Sequence, residues 1–350
     1  MAAPMILTTF DKVNLADPFF DSLKSAYAEF PDWFASKAGE PVYITLKDDG
    51  HLRGFLYLKV ERGVIDDVDP PLPAADRMKV GTLKIVAHGT KLGERYVKKI
   101  FDAAIREGVD GVYVTVFEEH AGLIRLFKRY GFRQHATKTT PNGTELVFTR
   151  DFSELTGDLR RDYPFVNQKE KRKYLLAIYP EWHTKLLPDS ILNNEASDIV
   201  EDLSHTNTIH KVYICSMNVG RIMKGDILVM YRCSDGKGPA YYRSVVTSLC
   251  VVEEIRSRKD FRDKGDFLNY ARPHSVFSDE ELDSWWDSGK RMHVIRMTYN
   301  AAFGKRTTRG QLIDTVGLSA TRRYDFFELS QTQFDHILRL GQINESLVVN

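Results

Sequence analysis

The sequence predicts an α/β domain, with a mixed central sheet and helices on both of its faces, followed by a β-rich, barrel-like domain. Three observations predict this fold class. The chain has 350 residues, about twice the usual size of one domain. Strand and helix patterns alternate over residues 1–150, whereas the pattern from residue 211 onwards is mostly that of strands. We therefore expect domains at 1–150 and 211–350, joined by a connector at 151–210.

The composition is that of an ordinary globular protein. Hydrophobic residues make up 43% of the chain and charged residues 28%, so each half can bury its own core. Lys and Arg number 49 against 48 Asp and Glu, and neither half carries an excess of one sign. A site for nucleic acid would therefore have to be a local basic patch.

The three cysteines, Cys215, Cys233 and Cys250, are far apart and lack the spacing of metal ligands. We therefore expect reduced, mostly buried thiols, no metal, and a cytoplasmic location. The first residues lack the features of a signal peptide, and no apolar run approaches the roughly 20 residues that span a bilayer. The sequence therefore predicts no membrane partner.

The elements of the first 150 residues follow the order β-α-α-β-β-β-α-β-α-β-β. A helix of about a dozen residues is predicted after the capping residue Asp17, and a shorter one from Pro31. Asp48-Asp49-Gly50 predicts a hairpin turn. The remaining predictions are strands at 5–9, 42–47, 52–60, 78–86, 112–117, 132–137 and 145–149, and helices at 94–107 and 121–130.

The rest of the chain has mainly strand patterns. One buried strand is predicted within the connector, at 174–179, with a helix around 193–202. The predictions beyond the connector are strands at 211–217, 226–231, 242–254 and 293–299, and helices at 278–288 and 331–340.

The turn His88-Gly89-Thr90-Lys91-Leu92-Gly93-Glu94 connects a predicted strand to the start of a helix. Free backbone N–H groups and the helix dipole make such a turn a general anion site. The glycine patterns of dinucleotide-binding and P-loop proteins are absent. We predict that Glu94 faces outward, away from a bound phosphate. The predicted cofactor-binding residues are Ile85, Val86, Ala87, His88, Gly89, Thr90, Lys91, Leu92, Gly93 and Glu94.

This turn resembles the cofactor motif of the GNAT superfamily of N-acetyltransferases, Arg/Gln-x-x-Gly-x-Gly/Ala. His88 takes the first position, Lys91 replaces the middle glycine, and Gly93 keeps the last small residue. The order of elements also fits, as does the segment from Ala121 to Phe132, which resembles Asn-x-x-Ala-x-x-x-Tyr-x-x-x-Gly-Phe of the superfamily. The resemblance implies acetyl-CoA or another acyl-CoA as cofactor, with its pantetheine arm between the fourth and fifth strands.

Catalysis is a separate question from cofactor binding. Many GNAT enzymes have a proton-donating tyrosine where this chain has Phe127. The candidate replacements are Tyr130, on the same face of its helix, and Glu118, Glu119 and His120 at the end of the fifth strand. Packing of Tyr130 beneath a neighbouring ring and a solvated acidic loop are the structural alternatives. Proximity of the reactants can also drive acetyl transfer without an acid, so the enzyme assignment stays open.

The segment from Val219 to Tyr231, with its Lys-Gly-Asp turn entering a buried strand, resembles the PUA-like superfamily, which includes ASCH and EVE domains. The strand pattern at 245–254 agrees, although the ASCH signature Gly-x-Lys-x-x-Glu-x-Arg is not intact. This resemblance implies RNA as a partner, and aromatic residues beside the basic clusters could stack on unpaired bases. A solvated charged surface is the alternative. The candidate nucleic-acid residues are Arg256, Arg258, Lys259, Arg262, Lys305, Arg306 and Arg309.

Three functions are compatible with these features. The leading hypothesis is an acetyl-CoA-dependent N-acetyltransferase acting on an amine of an RNA or ribonucleoprotein that the second domain presents. A second is a non-catalytic regulator that senses acyl-CoA or binds RNA, in a toxin–antitoxin or defence setting. A third is an acetyltransferase for a small amine.

Overall fold

The computed structural model describes residues 5–86, 91–187 and 208–349. The chain divides into two compact units, Met1–Asp162 and Tyr163–Asn350. The stretch predicted as a connector therefore differs from the structure, because its residues from Tyr163 to Leu187 belong to the second unit. They include a completely buried strand that lies inside that unit's sheet. The helix predicted around 193–202 lies outside the described residues.

The first unit is built on a mixed sheet. Its strands are β1 (Ile6–Thr9), β2 (Pro41–Leu46), β3 (Leu52–Glu61), β4 (Arg77–Ile85), β5 (Gly111–Val116), β6 (Arg133–Thr140) and β7 (Gly143–Asp151). They lie in the order β1-β2-β3-β4-β5-β7-β6. Only β4 and β5 run parallel, and the other neighbours are antiparallel. This is the sheet of the predicted α/β class.

Helices cover both faces of this sheet, as predicted. They are α1 (Asp21–Ala26), α2 (Phe30–Ser36), α3 (Leu92–Glu107) and α4 (Ala121–Arg129). On one face, the ring of Phe55 packs against Phe20 and Phe34 from the region of α1 and α2, at centroid distances of 5.3 and 6.1 Å. On the other face, Thr45 lies 3.1 Å from the hydroxyl of Tyr96 on α3.

The single helix predicted after Asp17 is broken in the structure. Asp17 does cap, because its carboxylate accepts a hydrogen bond from the Phe19 amide at 2.8 Å. A 3-10 turn and the short α1 follow, and α1 ends at Ala26. Tyr27 then takes an extended conformation, with φ −133° and ψ 104°, before α2 begins. The break places Tyr27 at a turn between two helices instead of on the apolar stripe of one.

The second unit is β-rich, as predicted. Its strands are β8 (Val166–Asn167), β9 (Lys173–Ile178), β10 (His210–Cys215), β11 (Ile227–Arg232), β12 (Val245–Ser257), β13 (His293–Thr308), β14 (Phe326–Leu329) and β15 (Val348–Val349). Six of them form a sheet in the order β10-β13-β12-β11-β9-β14, and β8 pairs with β15. The described strands form an open sheet rather than a closed barrel, because the edge strands β10 and β14 do not pair with each other.

Short helices surround this second sheet. They are α5 (Pro180–Leu186), α6 (Ala240–Arg243), α7 (Lys264–Ala271), α8 (Asp279–Asp287), α9 (Arg309–Asp314) and α10 (Gln331–Leu340). The helices predicted at 278–288 and 331–340 are α8 and α10. Both begin with a capping box, Ser278 with Glu281 and Ser330 with Gln333, in which each side chain bonds the other residue's backbone N–H. The other four are too short for their periodicity to be visible in the sequence.

The cysteines are free, as expected. Burial raises the pKa of the Cys215 thiol to about 12, and burial also raises the pKa of Cys233 and Cys250. Within the described ranges, no group of His, Cys, Asp and Glu side chains is arranged to hold a metal ion. In the same part of the chain, none of the helices has the length and hydropathy needed to cross a bilayer.

Candidate functional site

The ladder between the parallel strands β4 and β5 is short. It ends where Val80 lies opposite Val114, although β4 continues to Ile85 and β5 to Val116. Beyond this pair the two strands diverge, and their facing N–H and C=O groups no longer pair across the gap. A ligand that carries amide groups can pair with such strand edges.

A β-bulge at Gly81 accounts for the divergence. Tyr57 of β3 pairs with Thr82. The next residue of β3, Leu58, pairs with Val80, which leaves Gly81 as the extra residue. A bulge bends its strand and increases the local twist, so the end of β4 turns away from β5. Glycine is needed here because a Cβ atom would lie 2.7 Å from Cδ1 of Tyr57.

A cleft of about 410 Å³ opens where the strands diverge. It is lined by residues 79–83 of β4, residues 114–117 at the end of β5, α1, α2 and Glu145 of β7. Its size is in the range of small-molecule sites. A separate cavity of about 320 Å³ lies at the other end of β5, beside Val112 and Arg150, and does not belong to this site.

The predicted phosphate-binding turn is only partly described. Ala87, His88, Gly89 and Thr90 lie outside the described residues. Ile85 ends β4, Val86 is exposed, and α3 begins at Leu92 with Lys91 as its capping residue. The first turn of a 16-residue helix thus follows β4, the arrangement that the predicted anion site requires. Phosphate binding by this turn stays a prediction.

The structure describes the surroundings of Gly93 and Glu94 at the start of α3. A Cβ atom on Gly93 would lie 2.9 Å from Cδ2 of Leu126, so this glycine allows α3 and α4 to pack closely. Glu94 is buried, with 7% of its surface exposed, and the prediction that it faces outward was wrong. A carboxylate in the first turn of a helix is stabilised by the positive end of the helix dipole, which makes its burial tolerable.

Tyr130 and Phe127 lie in the core of the first unit. Both are fully buried, and the ring of Phe127 packs on Phe132 at 4.8 Å. Tyr130 does not line the cleft. Its position contradicts the predicted catalytic role, because α4 ends at Arg129 and the residue that follows turns inward.

The three candidate residues after β5 differ in whether they line the cleft. Glu118, Glu119 and His120 are all exposed. Glu119 and His120 line the cleft, whereas Glu118 does not. The structure therefore keeps two of the three candidates at the carboxyl end of β5.

Tyr27 and Glu145 form a hydrogen-bonded pair in the lining of the cleft, and sequence reasoning missed both as site residues. The Tyr27 hydroxyl donates a hydrogen bond to Oε1 of Glu145 at 2.8 Å, and Glu145 is 7% exposed. The Tyr27 ring packs on Phe117 at 5.6 Å. Burial and then Glu145 raise the pKa of Tyr27, so its hydroxyl stays protonated. One sign was available in the sequence, since Glu145 shares a strand face with the buried Val147.

A second carboxylate of the cleft, Glu61, is ionised and its charge is balanced by neighbouring lysines. It accepts a hydrogen bond from the Tyr113 hydroxyl and pairs with Lys59 at 3.1 Å and Lys79 at 3.4 Å. Burial opposes ionisation of Glu61, but these partners outweigh it and lower its pKa. Glu61 is thus held as a paired anion.

Several of the basic residues predicted to bind nucleic acid have partners within the second unit. Arg256 stacks on Tyr270 at 4.2 Å and pairs with Glu254 at 2.8 Å. Arg258 lies 4.8 Å over the ring of Trp286 and donates to the main-chain carbonyls at the end of α8. Both guanidinium groups thus have partners within the second unit.

Two further arginines also have internal partners. Arg309 lies 4.5 Å over Tyr324, and Arg306 donates to a main-chain carbonyl of β12 at 3.4 Å. Lys259, Arg262 and Lys305 are exposed, Arg262 most clearly with 86% of its side chain. The other four predicted arginines are half-buried, and Arg262 lies 3.7 Å from Asp266.

Parts of the chain match solved structures of an ASCH protein and of N-acetyltransferases, at low identity and with TM-scores below 0.5. The ASCH structure from Zymomonas mobilis is 8% identical, with a TM-score of 0.34, and covers 48% of this chain and 94% of its own. The ribosomal-protein-S18-alanine N-acetyltransferase from Escherichia coli is 16% identical, with a TM-score of 0.31 over 45% of this chain and 99% of its own. The NatC complex bound to Gag peptide and CoA is 14% identical, with a TM-score of 0.30 over 43% and 99%. No protein-family model and no curated protein matches the sequence.

Proposed function

We infer that the first unit is an N-acetyltransferase dependent on acetyl-CoA or another acyl-CoA, and that its acceptor is an amine of an RNA or ribonucleoprotein presented by the second unit. The observation that carries the inference is the divergence of β4 and β5 beyond Val80 and Val114, over a cleft of about 410 Å³. The next described element after β4 is the helix α3, which begins at Leu92.

The cofactor would bind in two parts. The amide groups of the pantetheine arm would pair with the free strand edges beyond Val80 and Val114, since these edges offer unpaired main-chain donors and acceptors. The pyrophosphate would lie at the predicted residues 85–94, where the N–H groups of the first turn of α3 favour an anion. The charge of Lys91 would strengthen that contact.

The thioester would then lie in the cleft, within reach of an acceptor that enters beside α1 and α2. Attack by the amine breaks the C–S bond and forms the amide, and the bound geometry supplies much of the rate because the reactants are held together. Glu119 and His120 line the cleft at the end of β5 and are candidates to receive a proton through water. Glu118 lies outside the cleft and is not part of the proposed site.

The RNA part of the proposal rests on the three exposed cations of the second unit, Lys259, Arg262 and Lys305. Exposed lysines and arginines contact phosphates and make binding depend on salt. Their number is small, so we expect weak binding of RNA by this unit alone.

Thermal shift with acetyl-CoA tests the cofactor site, because a ligand that binds the native state raises its melting temperature. We expect a clear shift for acetyl-CoA and none for adenosine. Absence of a shift at saturating acetyl-CoA would overturn every acyl-CoA version of the proposal. If binding is found, radiolabelled acetyl-CoA incubated with total RNA, total protein or polyamines identifies the acceptor.

A non-catalytic acyl-CoA sensor is the second candidate function. The buried Phe127 favours it, because this residue stands where the GNAT resemblance implies a proton-donating tyrosine. Binding of acetyl-CoA without label in RNA, protein or polyamine would support the sensor. Label in polyamines alone would support the small-amine acetyltransferase.

A further inference from the structure

We propose that Glu145 is the catalytic base of the cleft, that Tyr27 positions it, and that the acceptor is an aliphatic primary amine which binds as its ammonium ion. The proposal rests on the acetyltransferase function inferred above and names its acceptor class. It favours an aminoacyl or lysine amine over an exocyclic base amine, which carries no positive charge.

The first argument is the position of Glu145. In the β5–β7 ladder, Leu146 lies opposite Val116, the last residue of β5. Glu145 therefore stands level with the end of β5, on the strand that borders β5 on the side away from β4. Its side chain lines the same cleft as Gly81 and Thr115 on those two strands. A carboxylate here is beside the proposed position of the thioester.

The second argument is the orientation of the carboxylate. Tyr27 donates to Oε1 at 2.8 Å and keeps its proton because burial and the nearby carboxylates raise its pKa. Such a tyrosine is a poor acid toward a leaving thiolate, so it acts as a fixed donor. Among the described residues, Oε2 of Glu145 accepts no hydrogen bond, which leaves that oxygen for the amine.

The third argument is the charge around Glu145. Glu29 and Glu119 line the same cleft and act on Tyr27 together with Glu145. No lysine or arginine pairs with these three carboxylates within the described part of the chain. Glu29 is met by the amide of Asn142 at 2.7 Å.

The cleft is lined by four carboxylates, Glu29, Glu61, Glu119 and Glu145, and by three lysines, Lys37, Lys59 and Lys79, so carboxylates are in excess. Lys138, opposite Glu145 in the β6–β7 ladder, pairs with Asp67. Lys59 and Lys79 pair with Glu61. His120, on the β5–α4 loop, is exposed and faces the same cleft. The field here therefore attracts an ammonium ion.

The step balances without a further reactant. Oε2 of Glu145 takes one proton from R–NH₃⁺, and the free amine attacks the acyl carbonyl of acyl-CoA. The C–N bond forms, the C–S bond breaks, and its electron pair goes to sulfur. The thiolate takes the second proton from the nitrogen, so the products are a neutral amide and CoA thiol. Glu145 then returns its proton to water.

The test compares Glu145→Gln and Tyr27→Phe with the control Glu107→Gln. Glu107 is the exposed last residue of α3 and does not line the cleft. The probes are n-butylamine and spermidine with acetyl-CoA. We expect Glu145→Gln to keep acetyl-CoA binding and its melting temperature but to lose about 100-fold or more in kcat/KM at pH 7. Tyr27→Phe should lose about tenfold, mainly in kcat, because the carboxylate is still present but less well oriented. Glu107→Gln should match the wild type.

The pH dependence separates a base from a structural residue. The variant Glu145→Gln must use the free amine, so its kcat/KM should rise about tenfold per pH unit below the amine pKa near 10. The wild type deprotonates the bound ammonium ion, so its kcat/KM should rise much less with pH. The ratio of wild-type to variant kcat/KM should therefore fall as pH rises. A defect that is constant with pH would overturn the role of Glu145 as base.

The remaining outcomes are also decisive. Suppose that the protein binds acetyl-CoA, but that replacing Glu145 changes neither the binding nor the acetylation of either amine. This inference then fails, and the cofactor site stands. If acetyl-CoA does not bind, the proposed function itself fails. If Glu145→Gln does not fold, Tyr27→Phe carries the test, because it keeps the ring on Phe117 and removes only the hydroxyl.

Discussion

Gly81 of β4 lies directly against the ring of Tyr57 on β3, so closely that a Cβ atom at position 81 would be 2.7 Å from Cδ1. Tyr57 cannot move aside, because it is 3% exposed and its ring packs on Phe10 at 5.2 Å. The bulge that opens the cleft therefore depends on a residue without a side chain.

Gly81→Ala should destabilise the protein by about 1–3 kcal/mol, the usual cost of overpacking. It should also weaken acetyl-CoA binding, because the β4 edge shifts with the bulge. Thermal melts with and without acetyl-CoA measure both effects. Gly39→Ala is the matched control, since a Cβ atom there meets nothing within 4 Å. Equal behaviour of the two variants would contradict this role of Gly81.

His183 should make the protein less stable in mild acid. It is fully buried and bonds Thr247 through Nε2 at 2.7 Å, and burial, then Arg232 and Arg306, lower its pKa to about 3. The unfolded state takes up a proton below about pH 6.5 while the folded state does not, so stability is full above that pH and falls as pH drops toward 3.

Between these two pKa values, His183 should lower the free energy of unfolding by up to about 1.4 kcal/mol for each pH unit of acidification. Urea unfolding of wild type and His183→Gln at several pH values measures it, since glutamine can bond Thr247 but does not titrate. The difference in stability between the two proteins should grow in favour of the variant as pH falls. A difference independent of pH would rule out titration of His183.

The exposed cations of the second unit should carry any affinity for RNA. We expect the triple charge reversal of Lys259, Arg262 and Lys305 to weaken binding, with no change in stability. The slope of the logarithm of the binding constant against the logarithm of the salt concentration should also become shallower, by about 0.7 for each phosphate that these side chains no longer contact. Fluorescence anisotropy with a single-stranded RNA over a range of salt concentrations measures both effects. Unchanged affinity would refute this surface.

Arg256→Glu should behave differently from those reversals. It breaks the pair with Glu254 and the stack on Tyr270, and it places two carboxylates side by side. We expect a fall in stability that appears with or without RNA, visible as a lower melting temperature. An Arg256→Glu protein of normal stability that binds RNA less well would show that this arginine contacts RNA after all.

Glu119 should contribute less than Glu145 because it is exposed, where water and salt screen its charge. In an acetylation assay, Glu119→Gln should lose less than about tenfold in kcat/KM. This loss should become smaller as the salt concentration rises above about 0.1 M, where the Debye length falls below about 10 Å. A larger loss that does not respond to salt would make Glu119 the base in place of Glu145.

Much of the fold could be predicted because it depends on local pattern. The hairpin turn ending in Gly50 and the helix stopped at Gly108 are formed by residues whose positive φ suits glycine, and both are readable from the sequence. The buried run of β5 was visible as consecutive β-branched and aromatic residues. The strand within the predicted connector was also visible, but only its pairing with β11 and β14 shows that it belongs to the sheet of the second unit.

The sequence by itself determined the two fold types and the order of elements in the first unit, including a strand that ends at Ile85 and a helix that begins at Leu92. These follow from periodicity and turn chemistry, which act between near neighbours in the chain. Only the tertiary structure decided which polar residues share the cleft. Tyr27 and Glu145 are 118 positions apart. Their contact depends on a helix break and on strand register, which long-range packing determines, and the same packing buried Glu94 against expectation.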